Sequence, residues 1–240
     1  MSFAVTVYVR EGIVMAADSR LTLNRTAHQG GKPVERLMVS QTDSNQKLFL
    51  APNGMGVLTY GEAAVGNVPL AGYVQSFFDE SLPDEADVCS TAEALLAFFR
   101  ACQPVPATHF HVAGYSQSAG ATEQQVWHVD VAGNRCKRLN PVRGQGASWG
   151  GETDILARLL QPAAELDAQG KVVRNLPRYE IPWSFFTLQD AIDFAIFATR
   201  STIDAIRFMP RAKTVGGPID VLVLQPGGSH WIQRKTLHGG

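Results

Sequence analysis

The residue that follows the initiator methionine could become a nucleophile that carries its own base. Met1 is followed by Ser2, and removal of Met1 would leave a free α-amine on the residue that bears the hydroxyl. An α-amine titrates near pH ~8, so at neutral pH a useful fraction is unprotonated and can take the proton from that hydroxyl. The start of the chain therefore predicts nucleophilic chemistry at a terminal serine.

Two charged residues could support this nucleophile. Asp18 ends the apolar run Ile13–Ala17, and a carboxylate that enters an apolar layer needs a cation or hydrogen-bond donors. Lys47 begins the next strand pattern, and its ammonium near Ser2 would lower the pKa of the hydroxyl and guide proton transfer. Taken singly, Asp18 could pair with Arg20 and Lys47 could lie at a solvated strand edge. Taken with Ser2, they predict an N-terminal nucleophile hydrolase.

Composition narrows the class of protein. The chain has 240 residues, of which 45% are hydrophobic, and no linker divides it, so we predict one domain over 1–240. Its 21 basic and 22 acidic residues give a net charge of −1, which argues against a nucleic-acid partner. The apolar runs fall short of the ~20 residues of a membrane span, and residues 1–20 lack a signal-peptide pattern. We therefore expect no membrane partner and a cytoplasmic location.

Cysteine and histidine spacing indicates neither a disulfide framework nor a metal site. The three cysteines are widely separated and form no CxxC pair, which suits a reducing compartment. Of the six histidines, only His109 and His111 share a strand face, and two ligands make a weak case for a metal. The glycine cluster at Gly144–Gly146 lacks the lysine of a phosphate loop. We expect no cofactor, so any ATP dependence would come from a partner.

Periodicity predicts strands, two helices, strands, two helices and final strands. The predicted strands are Phe3–Val9, Ile13–Ala17, Leu48–Ala51, Met55–Tyr60, His109–Gly114, Val126–Val131, Arg135–Leu139, Ile219–Leu224 and His230–Lys235, and the predicted helices are Glu62–Glu80, Thr91–Ala101, Glu152–Leu160 and Leu188–Ile206. Ser90 with Glu93 predicts a capping box for the second helix, and Thr187 predicts the cap of the fourth. Two sheets covered by two helical layers accommodate this α+β order.

Four segments resemble the β-type subunits of the proteasome family. They are Gly12–Arg20, Gln46–Phe49, Leu58–Ala64 and the glycine passage Gly216–Val221. Among its members, the chain looks most like the bacterial ones, HslV, Anbu and the bacterial β-proteasome homologue, because Met-Ser needs only methionine aminopeptidase. The resemblance implies a four-layer αββα sandwich of the N-terminal nucleophile hydrolase type, with two antiparallel sheets between helical layers.

The resemblance also implies roles for matched positions. Ser2 would be the nucleophile and, through its amine, the general base, while Asp18 and Lys47 would form the supporting pair. The backbone N–H of Gly61 would point at the oxyanion, and such a donor is worth about 3 kcal/mol in other acyl-transfer enzymes. Ser148 would be the distal serine that hydrogen-bonds the terminal amine.

A substrate pocket and several departures follow from the same resemblance. The pocket would be lined by five uncharged residues, which suit small or apolar substrate side chains: Leu21, Asn45, Phe49, Thr59 and Ala63. Serine replaces the usual threonine and lacks the methyl group that helps orient the hydroxyl, so we expect slower turnover. The loop at about 23–45 is longer than in the family, and Pro69 interrupts a helix that is usually continuous.

The leading hypothesis is an endopeptidase of the threonine/serine N-terminal nucleophile type. Ser2 would attack a peptide carbonyl, form an acyl-enzyme ester and be released by water. The expected partners are copies of the chain in a ring or double ring, with a peptide or unfolded protein as substrate. Two alternatives stay open: a catalytically silent ring or scaffold subunit that keeps Met1, and an amidase for a small molecule.

Overall fold

The computed structural model describes residues 2–29, 32–66, 68–118 and 121–236. Its strands are β1 (Phe3–Val9), β2 (Gly12–Ala17), β3 (Leu21–Gln29), β4 (Lys32–Thr42), β5 (Leu48–Leu50), β6 (Gly56–Gly61), β7 (Ala64–Val65), β8 (Val68–Pro69), β9 (Thr108–Ser118), β10 (Ala121–Asp130), β11 (Arg135–Arg138), β12 (Gly146–Gly151), β13 (Ala164–Leu166), β14 (Val172–Asn175), β15 (Asp220–Gln225) and β16 (Gly228–Gln233). Its α-helices are α1 (Leu70–Glu80), α2 (Val88–Ala101), α3 (Asp154–Leu160) and α4 (Leu188–Phe208). Among the helices in these ranges, none combines the length and the apolar character that a membrane span requires.

Two five-stranded antiparallel sheets form the centre of this mixed α/β structure. The first has the order β12-β1-β2-β15-β16, and the second has the order β11-β10-β9-β6-β5. Strand β1 lies inside the first sheet, and all seven of its residues are buried. Successive side chains of a strand point to opposite faces, so a strand covered on both faces is apolar throughout. This explains the unbroken apolar run near the start of the chain.

Three apolar clusters hold the sheets and helices together. One joins the first sheet to α3 and α4 and includes Val5 and Ala195. A second joins the two sheets and includes Met15 and Leu58. The third joins the second sheet to α1 and α2 and includes Phe99. Burial of apolar area stabilises by roughly 25 cal/mol per Å², and these clusters place both faces of each sheet against apolar partners.

Helix α1 is shorter than the sequence predicted. The predicted helix Glu62–Glu80 is wrong in its first turns, because α1 begins at Leu70 and Pro69 occupies its N-cap position. A proline disfavours the helical conformation of the residue before it, and here Val68 and Pro69 pair with Ala64 and Val65 as strands. The interruption at Pro69 that the sequence indicated is therefore the start of the helix.

The two predicted helix caps have different outcomes. In α4 the prediction is confirmed, since the Thr187 hydroxyl accepts from the backbone N–H of Asp190 and the Asp190 carboxylate accepts from that of Thr187. In α2 the predicted box of Ser90 with Glu93 is wrong. The helix begins earlier, because the Asp87 carboxylate accepts from the Ser90 backbone N–H at 2.8 Å. An aspartate at the N-cap position satisfies a helix donor that would otherwise lack a partner.

The long segment after Arg20 forms a hairpin. Strands β3 and β4 pair with each other from Leu21 opposite Thr42 onward, and this two-stranded sheet occupies most of the loop predicted at about 23–45. At its base the Arg20 guanidinium donates to both carboxylate oxygens of Asp43, at 2.6 and 2.7 Å. That hydrogen bonding holds the pKa of Asp43 below its usual value. The ion pair closes the hairpin where the chain returns toward β5.

Three histidines and a tyrosine meet between the two sheets. His128 lies opposite His111 in the pairing of β9 with β10, so the two histidines predicted to share a face have a third beside them. The rings of His109 and His128 stack with centroids 5.4 Å apart, and Tyr60 stacks on His109. Within the described ranges, no group of three or more His, Cys, Asp or Glu residues could hold a metal ion. Nδ1 of the buried His111 lies 2.9 Å from the hydroxyl of Thr6 in the facing sheet.

We expect the free energy of unfolding to fall as the pH is lowered from 7 to 5. Burial lowers the pKa of His111 to about 3, whereas an unfolded imidazole titrates near pH ~6.5. Below that pH the unfolded state binds a proton that folded His111 does not, so stability is lost as the pH falls. This residue alone contributes a slope of up to about 1.4 kcal/mol per pH unit. Urea unfolding at several pH values measures the slope.

The variant His111→Gln tests the assignment, because it removes the titrating ring and keeps a hydrogen-bonding partner for Thr6. Its stability should depend less steeply on pH than that of the wild type. His230→Gln is the matched control, since His230 is exposed and should leave the slope unchanged. Equal slopes for His111→Gln and the wild type would contradict the assignment.

Candidate active site

The Asp18 carboxylate is buried and accepts four hydrogen bonds from different parts of the chain. Oδ1 accepts from the Phe3 backbone N–H at 3.0 Å and from Lys47 Nζ at 2.7 Å. Oδ2 accepts from the backbone N–H groups of Arg20 at 3.1 Å and Gly216 at 3.0 Å. The structure thus brings Asp18 and Lys47 into the contact that the sequence predicted. Asp18 also binds the residue that follows Ser2.

Lys47 is as deeply buried as its partner. The side chains of Lys47 and Asp18 are 1% and 0% exposed. Burial lowers the pKa of Lys47 although the charge of Asp18 opposes this change. A buried ion pair needs good geometry and further hydrogen bonds to offset its desolvation, and the backbone donors to Asp18 supply them. A lysine amine with a lowered pKa can exchange protons more readily near neutral pH.

Ser2 lies directly before β1 and is 1% exposed. Its carbonyl accepts from the backbone N–H of Glu152 at 2.8 Å, and the next residue, Phe3, is paired with Gly151. Gly151 has a φ of +86°, and a Cβ there would run into the Ser2 carbonyl. The backbone of Ser2 is therefore held closely by the end of β12 and the residue that follows it. Met1 lies outside the described residues, so the removal of Met1 stays a prediction.

Gly61 ends β6 on the second sheet. Its φ is +101°, and a Cβ would lie 2.8 Å from the Ala107 carbonyl oxygen, so only glycine suits this position. The preceding Tyr60 ring packs directly against Gly150, a residue of β12 that pairs with Ala4. This contact places the end of β6, with Gly61, beside the end of the first sheet where Ser2 lies.

The structure does not bring Ser148 to the start of β1. Ser148 lies opposite Thr6, which is four residues beyond Ser2 and about 13 Å along the strand. The predicted hydrogen bond from Ser148 to the terminal amine does not fit this register. The surrounding glycines permit more than one alignment in the sequence, and only the pairing of β12 with β1 selects this one.

The five predicted pocket residues differ in burial. Leu21 and Ala63 are half-buried, whereas the other three are buried: Asn45, Phe49 and Thr59. Phe49 belongs to the apolar cluster beneath α1, where its ring meets Phe78 edge-on with centroids 6.3 Å apart. The backbone N–H of Thr59 donates to the carbonyl of Lys47 at 2.8 Å. Strand β6 is therefore hydrogen-bonded directly to the backbone of Lys47.

Sequence reasoning missed a charged cluster beside Ser2. Glu152, whose N–H binds the Ser2 carbonyl, is buried and accepts from the Thr214 hydroxyl at 2.7 Å. Its other carboxylate oxygen pairs with Arg211, which also donates to Asp154 at 3.1 Å. The hydrogen bond to Glu152 raises the pKa of Arg211. The one available signal was a glutamate directly after a glycine-rich strand, which gives no indication of its distant partners.

Comparison with solved structures identifies the architecture. An Anbu mutant from Hyphomicrobium sp. strain MC1 matches with a TM-score of 0.59 at 16% identity, over 98% of this chain and 86% of that chain. The fold is that of Anbu. Anbu from Yersinia bercovieri, described as an ancestral β-subunit, gives a TM-score of 0.57 at 15% identity, over 98% of this chain and 88% of that chain. No protein-family profile and no curated protein matches the sequence. The resemblance to Anbu is confirmed at the level of the fold.

Gly151→Ala should be much more destabilising than a glycine substitution at an uncrowded turn. Gly170 is the matched control, because its φ of +80° is similar but a Cβ there meets nothing within 4 Å. Gly170→Ala carries only the cost of positive φ, about 1 kcal/mol. Gly151→Ala adds the collision with the Ser2 carbonyl, which we expect to cost about 2 kcal/mol more. Urea unfolding of both variants measures the difference, and equal losses would contradict the crowding seen at Gly151.

Proposed function

We propose that this chain is an N-terminal nucleophile peptidase of the proteasome β-subunit type, folded as one four-layer αββα domain. The observation that supports this most strongly is the double attachment of Asp18. Its carboxylate binds the Phe3 N–H and the Lys47 ammonium on the same oxygen. The residue before Phe3 is Ser2, so the carboxylate and the lysine bind the chain one residue away from the serine that the chemistry requires.

The proposed reaction begins after Met1 is removed. The Ser2 α-amine takes the hydroxyl proton as Oγ attacks the carbonyl carbon of a peptide bond. The C–N bond of the tetrahedral intermediate then breaks, the proton passes to the leaving amine, and an ester on Ser2 remains. Water, activated by the same amine, hydrolyses that ester and restores the hydroxyl. Lys47, held by Asp18, guides this proton transfer by exchanging a proton through its amine.

The remaining site residues stabilise the tetrahedral intermediate and bind the substrate in this proposal. The Gly61 N–H stabilises the oxyanion of the tetrahedral intermediate. The uncharged pocket favours small or apolar side chains and is formed by five residues: Leu21, Asn45, Phe49, Thr59 and Ala63. Ser148 has no role in the proposal, because its register along β12 places it too far from Ser2.

The burial of Ser2 favours a second candidate function. With 1% of its surface exposed, Ser2 cannot meet a substrate without a change at the start of the chain. A ring or scaffold subunit with no peptidase activity would have no need for that change. The two candidates share the fold and differ in the state of one bond, Met1–Ser2.

We expect purified protein to lack Met1 by intact mass and to form a covalent adduct with a peptide epoxyketone. The epoxyketone has two electrophilic carbons, one for a hydroxyl and one for an amine, so a terminal serine can react with both. Ser2→Ala should abolish the adduct, and Lys47→Met should slow its formation at least tenfold, because the amine that guides the proton transfer is lost. Peptide mapping of the adduct locates the modified residue.

Ser148→Ala is the matched control for this experiment, since it removes a hydroxyl of the neighbouring strand and should leave adduct formation unchanged. Retained Met1 with no adduct would overturn the peptidase proposal and leave the scaffold subunit. Equal adduct yields in Ser2→Ala and the wild type would also overturn it.

We also propose that the chain self-associates in a ring. Large apolar side chains are exposed on α4, where Phe197 and Phe208 are 48% and 80% exposed, and exposed apolar surface of this kind is typical of protein interfaces. Sedimentation velocity should show a species several times larger than the 26.0 kDa chain. Phe197→Ser with Phe208→Ser should shift it toward the monomer, whereas the control Val142→Ser, another exposed apolar position, should not. A monomeric wild type that still reacts at Ser2 would favour the amidase alternative.

A further inference from the structure

A second buried aspartate–lysine pair closes the end of the β15–β16 hairpin. Asp220 begins β15, and Lys235 follows β16 by two residues. The Lys235 backbone N–H donates to Asp220 Oδ1 at 2.7 Å, and its ammonium pairs with Oδ2. The side chain of Lys235 is 9% exposed and that of Asp220 is 3% exposed. Nothing in the proposed reaction uses this pair.

Strand register places the second pair beside the first. Asp220 lies opposite Ala17 in the pairing of β15 with β2, and Ala17 directly precedes Asp18. The Asp18 carboxylate in turn accepts from Lys47 Nζ. Two carboxylates and two ammonium groups therefore lie at the same end of adjoining strands, in a region from which the surrounding side chains exclude most water. Charges in such a region interact more strongly than charges in solvent.

Three charged groups act on the protonation of Lys47. Burial lowers its pKa and Asp18 raises it, while the positive charges of Lys235 and Arg20 lower it. Arg20 is itself paired with Asp43 at the base of the β3–β4 hairpin. Lys235 is the cation supplied by the last hairpin of the first sheet. Burial and the Asp18 charge act on the Lys47 proton in opposite directions, so a second cation nearby shifts that balance toward the neutral amine.

We propose that Lys235 is a positioning residue of the active site, fixed by Asp220 so that its ammonium favours the neutral amine of Lys47. This proposal rests on the proposed function of Ser2, because a neutral Lys47 matters only if it exchanges a proton with that hydroxyl. Asp220 orients the Lys235 ammonium, and Lys235 makes no contact with the substrate. The competing explanation is that the pair only fastens the end of the β15–β16 hairpin.

The titration of Lys47 distinguishes these explanations without any measurement of activity. The chain has only six lysines, so protein labelled with ¹³C at lysine Cε should give a simple NMR spectrum, in which Lys47→Arg assigns the Lys47 signal. In Lys235→Met the midpoint of the Lys47 titration should rise by about one pH unit or more. Lys235→Arg keeps the charge and should restore the wild-type midpoint. An unchanged midpoint in Lys235→Met would overturn the proposal.

A second pair of variants guards against loss of folding when Asp220 is left without its partner. Asp220→Asn alone is compared with Asp220→Asn combined with Lys235→Met, so the two proteins differ only in the Lys235 charge. The double variant should again have the higher Lys47 midpoint. Loss of stability in urea with equal midpoints would show that the pair is only structural.

The rate of epoxyketone labelling is an independent test of the role of Lys235. If neutral Lys47 supports the reaction, Lys235→Met should move the rising limb of the pH–rate profile to higher pH. Labelling at neutral pH should then be about tenfold slower if the limb moves by one pH unit. Unchanged rates and profiles in Lys235→Met would count against a role in the reaction. If the wild type is not labelled, the function proposed for Ser2 fails, whereas the NMR titration still decides whether Lys235 acts on Lys47.

Discussion

The rest of the site depends on the burial of the Asp18 carboxylate. A carboxylate without partners is far too costly to bury, and each of its four donors comes from a different place in the chain. Phe3 begins the first strand, Arg20 leads into the β3–β4 hairpin, Lys47 leads into the second sheet, and Gly216 precedes β15. Satisfying one charge thus fixes the ends of four segments, and it places the start of β1 among them.

Glycines on the neighbouring strand allow the two sheets to close around this end of β1. Gly150 leaves room for the Tyr60 ring, and Gly151 leaves room for the Ser2 carbonyl. Side chains at these positions would separate β12 from Ser2 and from the second sheet. The close approach also lets Glu152 bind the Ser2 carbonyl and anchor it to Arg211. The backbone of Ser2 is consequently held between a charged cluster and the Asp18 network.

Local patterns predicted the elements better than their exact ends. Continuous apolar runs identified the central strands, because strands buried on both faces have no polar side to interrupt them. The start of α2 could not be inferred in the same way, since Asp87 and Ser90 are both good N-cap residues and the choice depends on packing. At Ser148 the glycines on either side removed the pattern that would have set its register. His128 joined the other histidines only through strand pairing.

By itself, the sequence determined which groups could take part in chemistry: a potential terminal hydroxyl, an aspartate at the end of an apolar run that requires a cation, and a lysine at the start of the next strand. The residue types and their neighbours in the sequence were enough for that, because an aspartate at the end of an apolar run must be paired with hydrogen-bond donors when it is buried. Only the tertiary structure decided which distant groups complete the site. Gly216 binds Asp18, and Glu152 with Arg211 holds the Ser2 carbonyl, although all three residues lie more than a hundred positions away along the chain. Contacts between such distant segments leave no local signal.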